Sequence, residues 1–272
     1  MDGKPYRVNA KKTEGILFML IKEDFLFHSL GKNRPIHIYL PDQGDGPFPV
    51  MYFFDGHNLF RDEDATYGKS WGFLEFMASW DKPVVIVGIE CGHEGDIRLS
   101  EYLPYPSHIS WLKDKEPLGD ATMQGIVNEL KPYVDRTFPV LTSRENTGIG
   151  GSSMDGLMSG FALVRYNHIF SKAACVSPTF GPVSAPLWRE MNETPLDPNT
   201  RAFISWGTRE WGKIKNPEQE DRSSFYYKTC KAAANKILAK GGEVRLYCQV
   251  EGRHCEADWE KQIPLFMPYL WQ

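Results

Sequence analysis

The chain has 272 residues, 42% of them hydrophobic and 24% charged, so it can bury a core of its own and is not a disordered segment. Lysine and arginine total 31 against 35 aspartates and glutamates, a formal net charge of −4 that argues against a nucleic-acid partner. No stretch approaches the roughly 18 apolar residues of a membrane span.

Cys91, Cys175, Cys230, Cys248 and Cys255 are scattered and never form a C-x-x-C pair. Neither a disulfide framework nor a zinc site is expected. The opening MDGKPYRVNAKK is basic but leads into no apolar signal region. The expectation is a reduced, cytoplasmic chain that makes no membrane contact.

Short apolar runs bounded by glycine or proline predict strands at Gly15–Ile21, Ile36–Leu40, Val50–Phe54, Val84–Ile89, Thr147–Gly150, Ala173–Val176, Ala202–Trp206 and Val244–Val250. Stretches of helical period fall between several of them, at Ser70–Trp80, Thr122–Phe138, Met154–Tyr166, Ser223–Lys240 and Glu256–Leu270. Continuously apolar runs such as PVVIVGIE suit strands covered on both faces. The pattern predicts an α/β fold with a mostly parallel central sheet of about eight strands flanked by helices. The first two strands could form an antiparallel hairpin. With no internal repeat or long polar linker, residues 1–272 are read as one domain. Tyr102–Gly119 and Pro178–Thr200 carry prolines and tryptophans without a period, and are candidate pocket walls or ordinary surface loops.

The stretch most informative about chemistry is TGIGGSSMDG, Thr147–Gly156, where an apolar strand meets two glycines, two serines and a helix. This is the layout of a nucleophile elbow, a sharp strand-to-helix turn that lifts a serine hydroxyl to the top of a sheet. G-x-S-x-G is not fully met: around Ser153, Gly151 fits but Asp155 stands where the last glycine belongs. Ser152 fits less well, and a helix N-cap serine is the plain alternative. His254 follows the last strand in a short Gly-containing loop, and Glu210 follows the strand AFISW through Gly207-Thr208. Ser153, Glu210 and His254 therefore stand in the Ser…Asp/Glu…His order of α/β-hydrolases. Asp197, Glu218, Glu220 and Asp221 are rivals for the acid, but they sit in Pro-containing or strongly charged stretches.

Five stretches, YFFDGHNLF, YGKSWG, VIVGIE with RLSEYLP, GGSSMDGLMS and EGRHCEADW, resemble the putative-esterase family of α/β-hydrolases. That family includes enterochelin-esterase-like proteins, feruloyl and acetyl-xylan esterase modules, S-formylglutathione hydrolases and antigen-85 mycolyltransferases. The resemblance implies an α/β-hydrolase fold with Ser153 as nucleophile, Glu210 as acid and His254 as base. It further implies an oxyanion hole made by the backbone N–H groups of His57 and Met154. Asp155 replaces the family's usual glycine. Within RLSEYLP, Arg98 and Glu101 read as an ion pair bracing a loop.

The function expected is serine-dependent hydrolysis of a short-chain acyl, aryl or sugar ester, with no metal and no cofactor. Acyl transfer to an alcohol through the same residues is one alternative. A non-catalytic carbohydrate- or ligand-binding protein is another, prompted by Asp155 and the tryptophans. Asn58, Trp71 and Trp211 are candidate substrate contacts, with Trp111 and Trp188 also near the expected pocket mouth. The partner expected is a small-molecule ester, and whether the chain forms a homo-oligomer is left open.

Overall fold

The computed structural model describes residues 11–13, 16–41, 44, 46–210 and 218–272. Its strands are β1 (Lys11–Thr13), β2 (Ile16–Phe27), β3 (Lys32–Pro41), β4 (Val50–Phe54), β5 (Val85–Ile89), β6 (Thr147–Ser152), β7 (Lys172–Val176), β8 (Arg201–Gly207) and β9 (Glu243–Gln249). Interleaved with them are α1 (Phe73–Ser79), α2 (Ile97–Glu101), α3 (Gly119–Gly125), α4 (Lys131–Thr137), α5 (Met154–Arg165), α6 (Ser184–Glu193), α7 (Phe225–Leu238), α8 (Glu256–Trp259) and α9 (Ile263–Leu270).

All nine strands join one sheet in the order β1-β2-β3-β5-β4-β6-β7-β8-β9. The first three and the β3–β5 seam run antiparallel, while β5-β4-β6-β7-β8-β9 is parallel throughout. The ninth strand beyond the eight expected is β1, three residues too short and polar to leave a periodic signal. The expected opening hairpin is β2–β3, and β2 runs on to Phe27 past the charged pair Glu23-Asp24. An antiparallel pair near the sheet edge can turn polar residues to water, so the apolar run understates its length.

The parallel strands place alternate side chains in two cores. Val50, Tyr52 and Phe54 of β4 join Val85 and Val87 under α3–α7. Met51 and Phe53 meet Phe73 of α1 and Phe266 and Leu270 of α9 on the opposite face. Within 178–200, read as an aperiodic loop, α6 buries Leu187 and Met191 one turn apart. Pro182 and Pro186 read as breakers, but a proline is tolerated at a helix start, where the lost N–H has no partner to begin with. No helix of the described residues is long and apolar enough to cross a membrane.

Candidate functional site

Ser153 sits between β6 and α5 with φ 60° and ψ −121°, a backbone conformation costly for any side chain. The chain is held there from three directions. Ser153 N–H donates to Val176 O at 3.0 Å, and its carbonyl accepts from Thr179 N at 2.9 Å and Leu157 N at 3.1 Å. Two glycines allow the close approach: a Cβ on Gly151 would stand 2.4 Å from Asp155 Cβ, and one on Gly156 would stand 2.7 Å from Val176 O. Position 155 can carry a side chain because Gly151 opposite it has none, while Gly156 passes close to the end of β7.

The Asp155 carboxylate turns away under the sheet end and meets Arg98, Nη2 to Oδ1 at 2.7 Å. Arg98 also holds Asp55, its Nε 2.9 Å from Oδ2. The expected Arg98–Glu101 ion pair is not formed. Glu101 pairs instead with Arg34 and accepts from Gly92 N at 2.8 Å. On the short helix α2, Arg98 and Glu101 lie three residues apart, yet two buried aspartates outbid the local partner. Asp155 is therefore bound to a cation rather than crowding the elbow. Its carboxyl is pushed well above the usual carboxylate range by burial, opposed by Arg98 and reinforced by the Asp55 carboxylate.

Glu210 lies just past the end of β8 and is almost wholly buried. Its Oε2 is 3.1 Å from His254 Nδ1. Its Oε1 accepts from Gly207 N at 2.9 Å and from Ser177 Oγ at 2.5 Å. Ser177 in turn accepts from Trp259 Nε1 at 3.1 Å, and the Trp259 ring stands edge-on to His254 at 4.9 Å. Both rotamer and position of the carboxylate are thus fixed by groups that sequence reading did not single out. Ser177, the residue after β7, has φ 46° and is another strained strand end. Of the rival acids, Asp197 faces Arg144 at 3.4 Å, Glu220 pairs with Arg222 at 3.0 Å, and Asp221 accepts from Ser223 N at 2.8 Å.

Ser153 stands where two cavities meet. The smaller, about 390 Å³, is lined by Ser153, His254, His57, Asn58, Trp71 and Glu256 among others. The larger, about 870 Å³, has Ile109, Trp111, Pro178, Trp206 and Phe225 in its walls and also reaches Ser153 and Met154. Both aperiodic segments, 102–119 and 178–200, contribute to that larger wall. His57 is the second residue of the single helical turn Gly56–Asn58 after β4 and Met154 begins α5, so their N–H groups are among those with no earlier turn of helix to bond. Burial lowers the pKa of the His57 imidazole, opposed by Asp55 and Glu90. Glu256, unremarked in the sequence, is a buried carboxyl in the smaller cavity whose pKa burial raises.

Asn58 uses Oδ1 to accept from Thr66 N at 2.9 Å, which orders its own loop. Trp71 is buried against Phe73 and Trp259, and reaches the smaller cavity only with an edge of the core. Trp188 packs on Phe180 at 5.8 Å. Trp211 lies outside the described residues.

Residues 28–268 match the family described as Putative esterase. The chain is 29% identical over 194 residues to the protein YbbA of Bacillus subtilis (strain 168), covering 67% of this chain and 71% of that one. Among solved structures it resembles the BES protein from Bacillus cereus, with TM-score 0.71 and 17% identity over 97% of this chain and 98% of that one. An IroE-like serine hydrolase from Shewanella oneidensis gives TM-score 0.71 at 18% identity, covering 92% and 79% of the two chains. S-formylglutathione hydrolase from Staphylococcus aureus gives 0.62 at 16% identity, covering 95% and 98%. With the family match running over most of its length, the chain belongs to the Putative esterase family and is a carboxylic ester hydrolase of the α/β-hydrolase fold.

Proposed function

We propose that the protein hydrolyses carboxylic esters through a Ser153–His254–Glu210 triad and an acyl-enzyme. The observation that carries this reading is the Glu210–His254 hydrogen bond at the rim of the cavity that also exposes the strained Ser153. Ser153 Oγ attacks the acyl carbonyl as its proton passes to His254. With Nδ1 held by Glu210, Nε2 is the ring nitrogen that takes the proton and then gives it to the departing alcohol oxygen. The His57 and Met154 N–H groups receive the oxyanion, each worth roughly 3–4 kcal/mol in comparable sites. Water, deprotonated by the same imidazole, then cleaves the acyl-enzyme and restores the serine.

The two cavities offer one side for the acyl group and one for the alcohol. The apolar walls of the larger favour an aryl, short-chain acyl or sugar ester, whose flat or apolar surface can lie on Trp111 or Trp206. Those walls also favour a second reading, acyl transfer to an alcohol that displaces water from the cavity. Added alcohol acceptors separate the two, since transfer yields transester well above the acceptor's mole fraction. A non-catalytic role loses one of its two motives, because Asp155 is occupied by Arg98.

The test is Ser153→Ala assayed on p-nitrophenyl acetate and butyrate. Loss of kcat by about 10⁴-fold or more is expected. Unchanged turnover would end the triad proposal.

A further inference from the structure

Because β4 and β5 are parallel neighbours in register, Phe54 opposite Ile89, the loops that follow them emerge side by side. They bring together three potential ligands, His57 from the first loop and Glu90 and His93 from the second. One donor atom from each lies within 4.8 Å of the other two. The His57 and His93 rings stand edge to face with centroids 4.9 Å apart.

His57 is 6% exposed, and its Nδ1 is buried with no hydrogen-bond partner among the described residues. Its other nitrogen, Nε2, is engaged with Thr66 Oγ1 at 2.9 Å. A buried polar atom left unpaired is destabilising, so the orphan calls for an explanation. Glu90 is divided between two sets of partners. Its Oε1 takes His37 Nε2 at 2.6 Å and Lys22 Nζ at 3.1 Å, while Oε2 faces His93 Nε2 at 2.8 Å.

We propose that His57 Nδ1, Glu90 Oε2 and His93 Nε2 form a site for a divalent transition-metal ion of the Zn²⁺ class. Two imidazoles and one carboxylate with an open fourth position is a donor set that such an ion takes. The outer shell is in place as well. Thr66 orients His57 through its second nitrogen, and His37 with Lys22 occupies the second oxygen of Glu90, which leaves Oε2 to point at the ion. His93 is more than half exposed and can close on the ion by a rotamer change. The ion replaces the His93 Nε2–Glu90 Oε2 hydrogen bond, with the imidazole's proton carried on Nδ1. His57 and His93 both line the smaller cavity, and the open position faces that space. The members of the cluster come from two loops and include no thiol, so no sequence spacing marks them.

The experiment treats the full chain with a chelator, removes the chelator, and titrates it with Zn²⁺ by calorimetry and with Co²⁺ by visible absorption. Expected are one ion per chain, a Co²⁺ band of low-coordinate nitrogen and oxygen ligation, and a Tm that rises with Zn²⁺. His93→Ala should weaken binding by at least 10–100-fold. His93→Gln, closer in shape, should do the same and guards against a folding defect in the first variant. Binding well below one ion per chain, or His93 variants that bind as tightly as the parent, would overturn the site. None of these readouts depends on ester turnover, so the result stands apart from the triad proposal.

Discussion

Two buried carboxylates flank Ser153 and are used in opposite ways. On one side Glu210 faces His254, an imidazole that can accept a proton and return it. On the other, Asp155 faces Arg98, whose charge is fixed. The Glu210 pair can therefore take part in proton transfer, whereas the Arg98 cluster can only hold structure. Burial is alike on both sides, so the partner's chemistry decides the role.

The largest effect should come from the first side. In Glu210→Gln, the amide can keep its oxygen toward Ser177 and Gly207 while its NH₂ donates to His254 Nδ1. That reverses the tautomer and leaves Nε2 unable to accept the serine proton. A drop in kcat of roughly 10²–10⁴ is expected with the fold intact. Glu218→Gln, Glu220→Gln and Asp221→Asn should be nearly silent in the same assay. Full activity of Glu210→Gln would place the acid elsewhere.

Breaking the second side should read out as stability. Arg98→Met removes the cation shared by Asp55 and Asp155 and strands two buried carboxyls. Loss of one partner from a buried ion pair typically costs about 3–5 kcal/mol, measurable by urea denaturation at pH 7. A variant as stable as the parent would mean that the aspartates are not charged against Arg98 at all.

A smaller effect tests how Glu210 is held. Ser177→Ala deletes one of its donors and leaves Trp259 Nε1 without its acceptor. Gly207 N–H still fixes Oε1, so a fall in kcat of about tenfold is expected, near the 1–1.5 kcal/mol of one hydrogen bond. KM should barely move, because Ser177 does not line either cavity.

The contrast between the two sides also marks what could be read from the sequence. The strands buried on both faces announce themselves as apolar runs, and Ser153, Glu210 and His254 follow strand ends in a recognisable order. These are local signals. Arg98 could not be assigned that way: its nearest acid in sequence is Glu101, whereas its partners Asp55 and Asp155 arrive from the ends of β4 and β6. The same holds for Ser177 and Trp259, which reach Glu210 and His254 from β7 and α8. The helix α6 leaves no clear pattern for a different reason, since Pro186 within it and Pro182 before it read as loop residues. Contacts between strand ends depend on strand order, which a one-dimensional pattern does not contain.

The smallest effect concerns the proton on Asp155. Burial, with Asp55 beside it, lifts this carboxyl well above the usual range. Asp55 itself is drawn below its usual value: burial pushes it up, but Arg98 and His57 outweigh that. One arginine thus faces two carboxyls whose pKa values are moved in opposite directions. In the unfolded chain Asp155 releases its proton near pH 3.9, whereas in the fold it keeps it to higher pH. The folded state binds more protons over that interval, so this group's contribution to stability declines as pH rises through it. Asp155→Asn holds a neutral group at every pH and can still accept from Arg98 through its amide oxygen. The variant's Tm should therefore fall less steeply than the parent's as pH rises above the usual carboxylate range, with the two curves nearest at the acid end. The Asp55 contribution has the opposite sign and is lost only below the usual carboxylate range, outside this window. A Tm difference that stays constant across it would mean that Asp155 is ionised in the fold and that Arg98 serves two full negative charges.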